Sequence, residues 1–159
     1  METFGIDFKE LPVKGNTRKR LYGSVELDRI KEHIRKFKEV GFNHLVAISC
    51  IDWIDDGKFE VVYHLWSYEE LVDIFLSVMI DRDNPSLQSV KELFPQAETY
   101  EREMHEMFGV YFDGNDRLTE FILEDWDGPP PMRKDFDTKK YAEERFYSVP
   151  PVGDVDEGV

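Results

Sequence analysis

Residues 45–80 read LVAISCIDWIDDGKFEVVYHLWSYEELVDIFLSVMI, and the period of this stretch decides the fold. Leu45 to Trp53 is an apolar run of strand length. Phe59, Val61, Tyr63 and Leu65 then alternate with Glu60, Val62, His64 and Trp66, the period of two expected of a strand. Asp56-Gly57 between the runs is a hairpin signal. Ile74 to Ile80, rich in branched residues, reads as a further strand. Asp81-Arg82-Asp83-Asn84-Pro85 breaks it.

Outward from this centre the period changes. Arg18 to Val25 reads as a short first strand. Leu27, Ile30, Ile34, Phe37 and Val40 recur at steps of three and four, which predicts a helix over Leu27–Val40 stopped by Gly41. Asn84 as an N-cap with Pro85 at the first helical position predicts a helix ending near Phe94, because Pro95 cannot continue it. Ala97 to Phe108 predicts another helix, ended by Gly109. Pro129-Pro130-Pro131 is expected to be extended and stiff. Strands joined by tight turns, with helices before and after, give an α+β expectation: two layers, a mixed but mostly antiparallel sheet with helices packed on it, and an extended C-terminal segment. One domain over residues 1–146 is expected, with residues 147–159 as an extended acidic tail.

The chain has 159 residues, 41% of them hydrophobic, enough for one real core. Its net charge of −14 argues against a nucleic-acid backbone as partner and for a solvated surface or an acidic face. The single cysteine, Cys50, rules out an internal disulfide and leaves no ligand set for an iron–sulfur cluster in this chain. Met1 to Lys9 does not read as a signal peptide, and no apolar run approaches the ~18 residues of a membrane span. An intracellular, soluble chain is expected, tied to a membrane only through partners. Charged residues at 34%, with only two glutamines, carry the bias of heat-adapted proteins.

No reactive constellation emerges. The four histidines lack metal-ligand spacing, the serines lack a nucleophile-elbow context, and Gly109 to Gly114 encloses Tyr111 and Phe112 with no following lysine. Residues 101–135 are nonetheless dense in charge, aromatics and glycine. On a helical wheel Ala97, Tyr100, Met104, Met107 and Phe108 share a face that also takes in Glu101, with Glu103 at its edge. Glu98, Arg102 and Glu106 fall on the outer side as i,i+4 partners. A carboxylate on an apolar stripe needs a partner. The dense basic pair downstream is Arg133-Lys134, so Glu101 or Glu103 is expected to bind Arg133 and clamp the C-terminal segment, the alternative being a proton-relay or solvent-exposed role for these acids.

These residues carry a family pattern. Glu101-Arg102-Glu103, Glu106-Met107-Phe108-Gly109, Phe112, Gly114, Asp125-Trp126-Asp127-Gly128 and Arg133-Lys134-Asp135-Phe136 follow one another in order. The sequence resembles the C-type (NuoC, 30 kDa-type) subunit of respiratory complex I and the equivalent subunit of membrane-bound, energy-converting [NiFe] hydrogenases. The likeness extends back through Asn84-Pro85-Ser86 and Ile51-Asp52-Trp53, covering roughly Arg18 to Phe136. Gly114-Asn115-Asp116 and Gly128-Pro129-Pro130-Pro131-Met132 depart from the family's usual Gly-His-Pro elements. Those departures favour the hydrogenase-type or a related archaeal-type complex over quinone-dependent complex I.

The resemblance implies a subunit without catalytic residues, cofactor or metal of its own. It implies packing against the large, NiFe-hydrogenase-like subunit and near the iron–sulfur subunit, with iron–sulfur clusters and a NiFe centre in those partners. It also implies a peripheral position on the cytoplasmic side of the membrane, in a complex coupling electron transfer to ion translocation. The alternatives are the C-type subunit of an NADH, ferredoxin or F420:quinone oxidoreductase, or a free-standing soluble adaptor.

Overall fold

The three runs of residues 45–80 become the centre of a five-stranded sheet. The computed structural model describes residues 3–12, 15 and 18–145. Its elements are β1 (Lys9–Glu10), β2 (Lys19–Ser24), α1 (Ile30–Glu39), β3 (His44–Trp53), β4 (Lys58–Ser67), β5 (Val72–Asp81), β6 (Ser86–Gln88), α2 (Ala97–Phe108), β7 (Tyr111–Asp113) and α3 (Thr138–Arg145). The main sheet runs β1-β2-β5-β4-β3. Its pairings are antiparallel except β2 with β5, which is parallel. The fold is thus α+β with a mixed, mostly antiparallel sheet. The expected tail, residues 147–159, lies outside the described residues.

One sheet face forms the core. Phe59, Val61, Tyr63 and Leu65 of β4 are fully buried, flanked by Ile74, Leu76, Val78 and Ile80 of β5 and by Leu45 and Ile48 of β3. Helix α1 contributes Ile30, Ile34 and Phe37 to this core, and α2 contributes Ala97, Met104, Met107 and Phe108. Phe108 meets Phe59 edge to face, with ring centroids 5.9 Å apart.

Two expectations need correction. Helix α1 is shorter than the apolar stripe that predicts it, and Leu27 and Val40 are exposed. Its end is fixed by backbone bonds across the turn: the Phe42 N–H reaches the Phe37 carbonyl and the Gly41 N–H the Lys38 carbonyl. This is a Schellman arrangement, with the Phe42 ring edge-on to Phe37. The helix predicted after Asn84 does not form. Residues 86–88 make β6, paired in parallel with β7. The Tyr111 N–H donates to Pro85 O and the Ser89 N–H to Asp113 O, so pairing with a distant strand overrides a sound local helix signal.

Candidate functional site

Helix α2 lies over β3, with residues 109–136 wrapped around its far end. The acid on the apolar stripe, Glu101, is completely buried. It does not meet Arg133. Its carboxylate accepts the Ser89 hydroxyl at 2.7 Å, the Val90 N–H at 2.8 Å and the Asn115 side-chain amide at 2.9 Å. Glu101 thereby ties the turn after β6 and the turn after β7 to one helix. Burial pushes its carboxyl above the ordinary range, against the pull of those three donors. Asn115, where the family pattern usually has histidine, is one of the three.

Arg133 is spent on the helix end. Its Nε donates to the Phe108 carbonyl at 2.7 Å and its guanidinium lies 5.0 Å from the Phe59 ring centre. The Met132 N–H donates to Met107 O at 3.0 Å, so two terminal carbonyls of α2 are capped by the C-terminal segment. Gly109 makes this approach possible. Its φ is +78°, and a Cβ there would stand 3.1 Å from both Arg133 and Pro130.

The ionic clamp sits beside this cap. Arg82, at the end of β5, donates from Nε and Nη2 to Asp52 at 2.8 and 3.1 Å. It also donates to Asp135 from Nη1 at 3.2 Å and from Nη2 at 2.5 Å. The Lys134 N–H donates to the same Asp52 carboxylate at 2.9 Å. Asp52 and Arg82 are buried, and the hydrogen bonds from Arg82 hold both carboxyls below their ordinary range. Sequence reasoning misses Arg82, which reads there as part of a strand break. The signal that could have found it is Asp52 itself: a carboxylate ending an apolar strand needs a cation.

The outer side of α2 holds a loop rather than pairing with itself. Glu106 accepts the N–H groups of Phe121, Ile122 and Leu123 at 2.7, 2.8 and 3.3 Å. Arg102 donates to the carbonyls of Thr119 and Glu120 and lies over the Phe121 ring. The expected Arg102 pairs along the helix are replaced by these bonds, while Glu98 pairs with Arg117 at 3.0 Å. Glu103 is half-buried at the edge of the apolar face. Phe112 is in the core, Gly114 turns the chain after β7, and Asp125 is exposed with a left-handed backbone.

Trp126 joins Phe136 and Tyr141 in an aromatic cluster, with ring centroids 5.8 and 4.7 Å from its own. A Cβ on Gly128 would press within 2.8 Å of Trp126 and 2.7 Å of Tyr141, so this glycine is set by packing. Between α2 and this cluster lies a groove of about 210 Å³, lined by His105, Glu106, Leu118, Trp126, Gly128 and Pro130 among others. Phe121, Ile122 and Met132 are 41%, 53% and 57% exposed nearby. Burial and the neighbouring Asp52 raise the Cys50 thiol to about 12, which leaves it unreactive at neutral pH. Among the described residues no group of three or more histidine, cysteine, aspartate or glutamate side chains is placed to hold a metal ion. None of the described helices is long and apolar enough to cross a membrane.

The chain matches the family model for the respiratory-chain NADH dehydrogenase 30 kDa subunit over residues 24–142. The C-type subunit of the F(420)H(2) dehydrogenase of Methanosarcina mazei is 33% identical over 120 residues, covering 74% of this chain and 76% of that protein. The C-type subunit of the NADH-quinone oxidoreductase of a Roseiflexus species is 39% identical over 108 residues, covering 67% of this chain but 62% of that protein. A chain of the membrane-bound sulfane sulfur reductase, an archaeal respiratory membrane complex, superposes with a TM-score of 0.81 at 34% identity, covering 97% of this chain and 90% of that one. A trypsin-resistant fragment of Nqo5 superposes with a TM-score of 0.60 at 25% identity, covering 70% and 89%.

Proposed function

Because the chain belongs to the respiratory-chain NADH dehydrogenase 30 kDa subunit family, we propose that it is a non-catalytic assembly subunit of a complex I-like, membrane-bound oxidoreductase. One observation carries this reading: the charged groups of the motif are spent on the fold itself. Glu101, Arg102, Glu106 and Arg133 hold loops or cap a helix, and Asp135 closes a clamp. What they present outward is an apolar rim of Phe121, Ile122 and Met132 beside a groove. That rim suits a large partner protein, with an iron–sulfur subunit nearby. The chain then acts by holding its partner in the geometry that electron transfer needs. In this reading it stands at the cytoplasmic side of the membrane through those partners, while the complex couples electron transfer to ion translocation.

For the acceptor, the departures at Gly114-Asn115-Asp116 and Gly128–Met132 favour an energy-converting [NiFe] hydrogenase. A second reading, a sulfur-reducing complex, is favoured by the superposition on the sulfane sulfur reductase chain. Tagging this chain and purifying from native membranes tests both levels. Co-recovery of a large subunit and an iron–sulfur subunit is expected, and recovery as a lone monomer would overturn the subunit reading. Nickel with hydrogen evolution supports the hydrogenase, sulfane reduction the second reading, and quinone reduction the complex I alternative.

A further inference from the structure

The main sheet ends differently on its two sides. One edge is β1, two exposed residues, Lys9 and Glu10. A strand so short and charged offers little to pair with. The other edge is β3, ten residues long. It is paired with β4 on one side, and no backbone bond among the described residues reaches its outer side. About half of its N–H and C=O groups therefore point outward unpaired. The irregularity in its register lies between Leu45 and Ala47. From Ala47 to Trp53 the strand is regular and holds neither lysine nor proline, the usual guards of an edge. Its one charge there, Asp52, is taken by Arg82.

The sheet face away from the helices continues this edge as an apolar patch. Ile51, Glu60 and Met79 share a row across β3, β4 and β5. Ile51 and Met79 are 42% and 44% exposed, and Trp53, two residues along on the same face, is 42% exposed. Glu60 between them is buried and satisfied, accepting the Tyr22 hydroxyl and the Trp53 indole N–H. The Trp53 bond, 2.9 Å long, ties the indole to the sheet. Asp55 and Asp56 follow at the end of β3. Both are exposed, and neither meets a cation among the described residues. Lys58, across the turn, is engaged by Asp81 at 3.3 Å.

We propose that an extended segment of a partner subunit pairs with the outer edge of β3 as a sixth strand of the sheet. Its backbone completes the open groups of Ala47–Trp53. Apolar side chains at alternate positions lie on Ile51 and Trp53, and a lysine or arginine beyond them faces Asp55 and Asp56. A second copy of this chain is the poorer occupant, because pairing two β3 edges joins molecules of net charge −14 each. The edge shares no residue with the groove beside α2, so the protein touches its neighbours through two surfaces. The proposal rests on the subunit reading above and adds the form of one contact.

The test uses the tagged complex purified from membranes, with a benzophenone amino acid placed at Ile51 and, in a second preparation, at Met132 beside the motif groove. The expected result is photo-crosslinking from position 51 to one segment of another subunit that alternates apolar residues and carries lysine or arginine. In the same complex Asp55→Lys with Asp56→Lys, position 51 still labelled, is expected to cut that yield about tenfold through like-charge repulsion. Hydrogen exchange on the unlabelled complex is expected to find all the amides of Ala47–Trp53 protected, whereas an open edge leaves alternate amides exchanging. Alternate exchange in the complex overturns strand pairing. A crosslink to residues 146–159 of this chain, to a second copy, or to a segment lacking basic residues overturns the choice of occupant and the proposal with it. So does a yield insensitive to the charge reversal. Co-purified subunits with a crosslink from position 132 and none from position 51 sink this inference alone. Failure to co-purify any subunit sinks the subunit reading with it.

Discussion

Glu101 illustrates how one side chain organises a motif. Three donors converge on its two oxygens from two different turns. An amide in its place has one oxygen and one NH2, so a donor must face a donor. Glu101→Gln is therefore expected to destabilise the chain by about 1–3 kcal/mol, read as a lowered urea midpoint. Gly109→Ala forces a left-handed backbone on a residue with a Cβ and drives that Cβ against Arg133 and Pro130. A loss of about 1 kcal/mol or more in the same assay is expected. Unchanged midpoints would refute either account.

At the scale of elements, the C-terminal segment is fastened to the sheet by Asp52, Arg82 and Asp135. Removing the cation leaves a buried aspartate unpaired, so Arg82→Met is expected to cost about 3–5 kcal/mol. Restoring stability with Asp52→Leu in the same chain would confirm that the unpaired charge is the cause. Glu106→Ala is a different kind of change, because it frees only the N–H groups of an exposed loop. Near-normal stability with weakened recovery of partner subunits is expected; normal recovery would separate the loop from docking. Much of this architecture is legible in the sequence. The three central strands announce themselves by period and turn residues, and α2 runs over Ala97–Phe108 as its pattern predicts. What is not legible depends on distant pairing. Asn84-Pro85 is a good local helix start, yet Tyr111 claims the Pro85 carbonyl. Arg133 is a sound candidate for an acid on α2, but Glu101 is satisfied by neutral donors and Arg133 by a carbonyl. Neither partner choice is written in spacing along the chain.

At the scale of the whole molecule, two groups of carboxylates oppose each other in pH. Asp52 and Asp135 are held below their usual value of 3.8 in the fold, so their stabilisation is present above that value and is lost as pH falls through the lowered native values. Glu101 is raised above its usual 4.5, so its contribution is greatest below that value and declines as pH rises through the native one. Urea midpoints measured across the acid range are expected to fall less steeply on the acid side in Arg82→Met and to lose the opposing contribution of Glu101 in Glu101→Gln. The Asp52–Asp135 link also has a consequence for synthesis. The ribosome releases the central sheet long before residues 133–135, and until they emerge Arg82 has Asp52 but not its second acid, and the last α2 carbonyl lacks its bond from Arg133. The nascent sheet therefore waits with one end open, and a chain stalled short of residue 133 carries a complete hydrophobic core but an unsealed edge. Such a chain is a target for chaperones and proteases rather than for assembly.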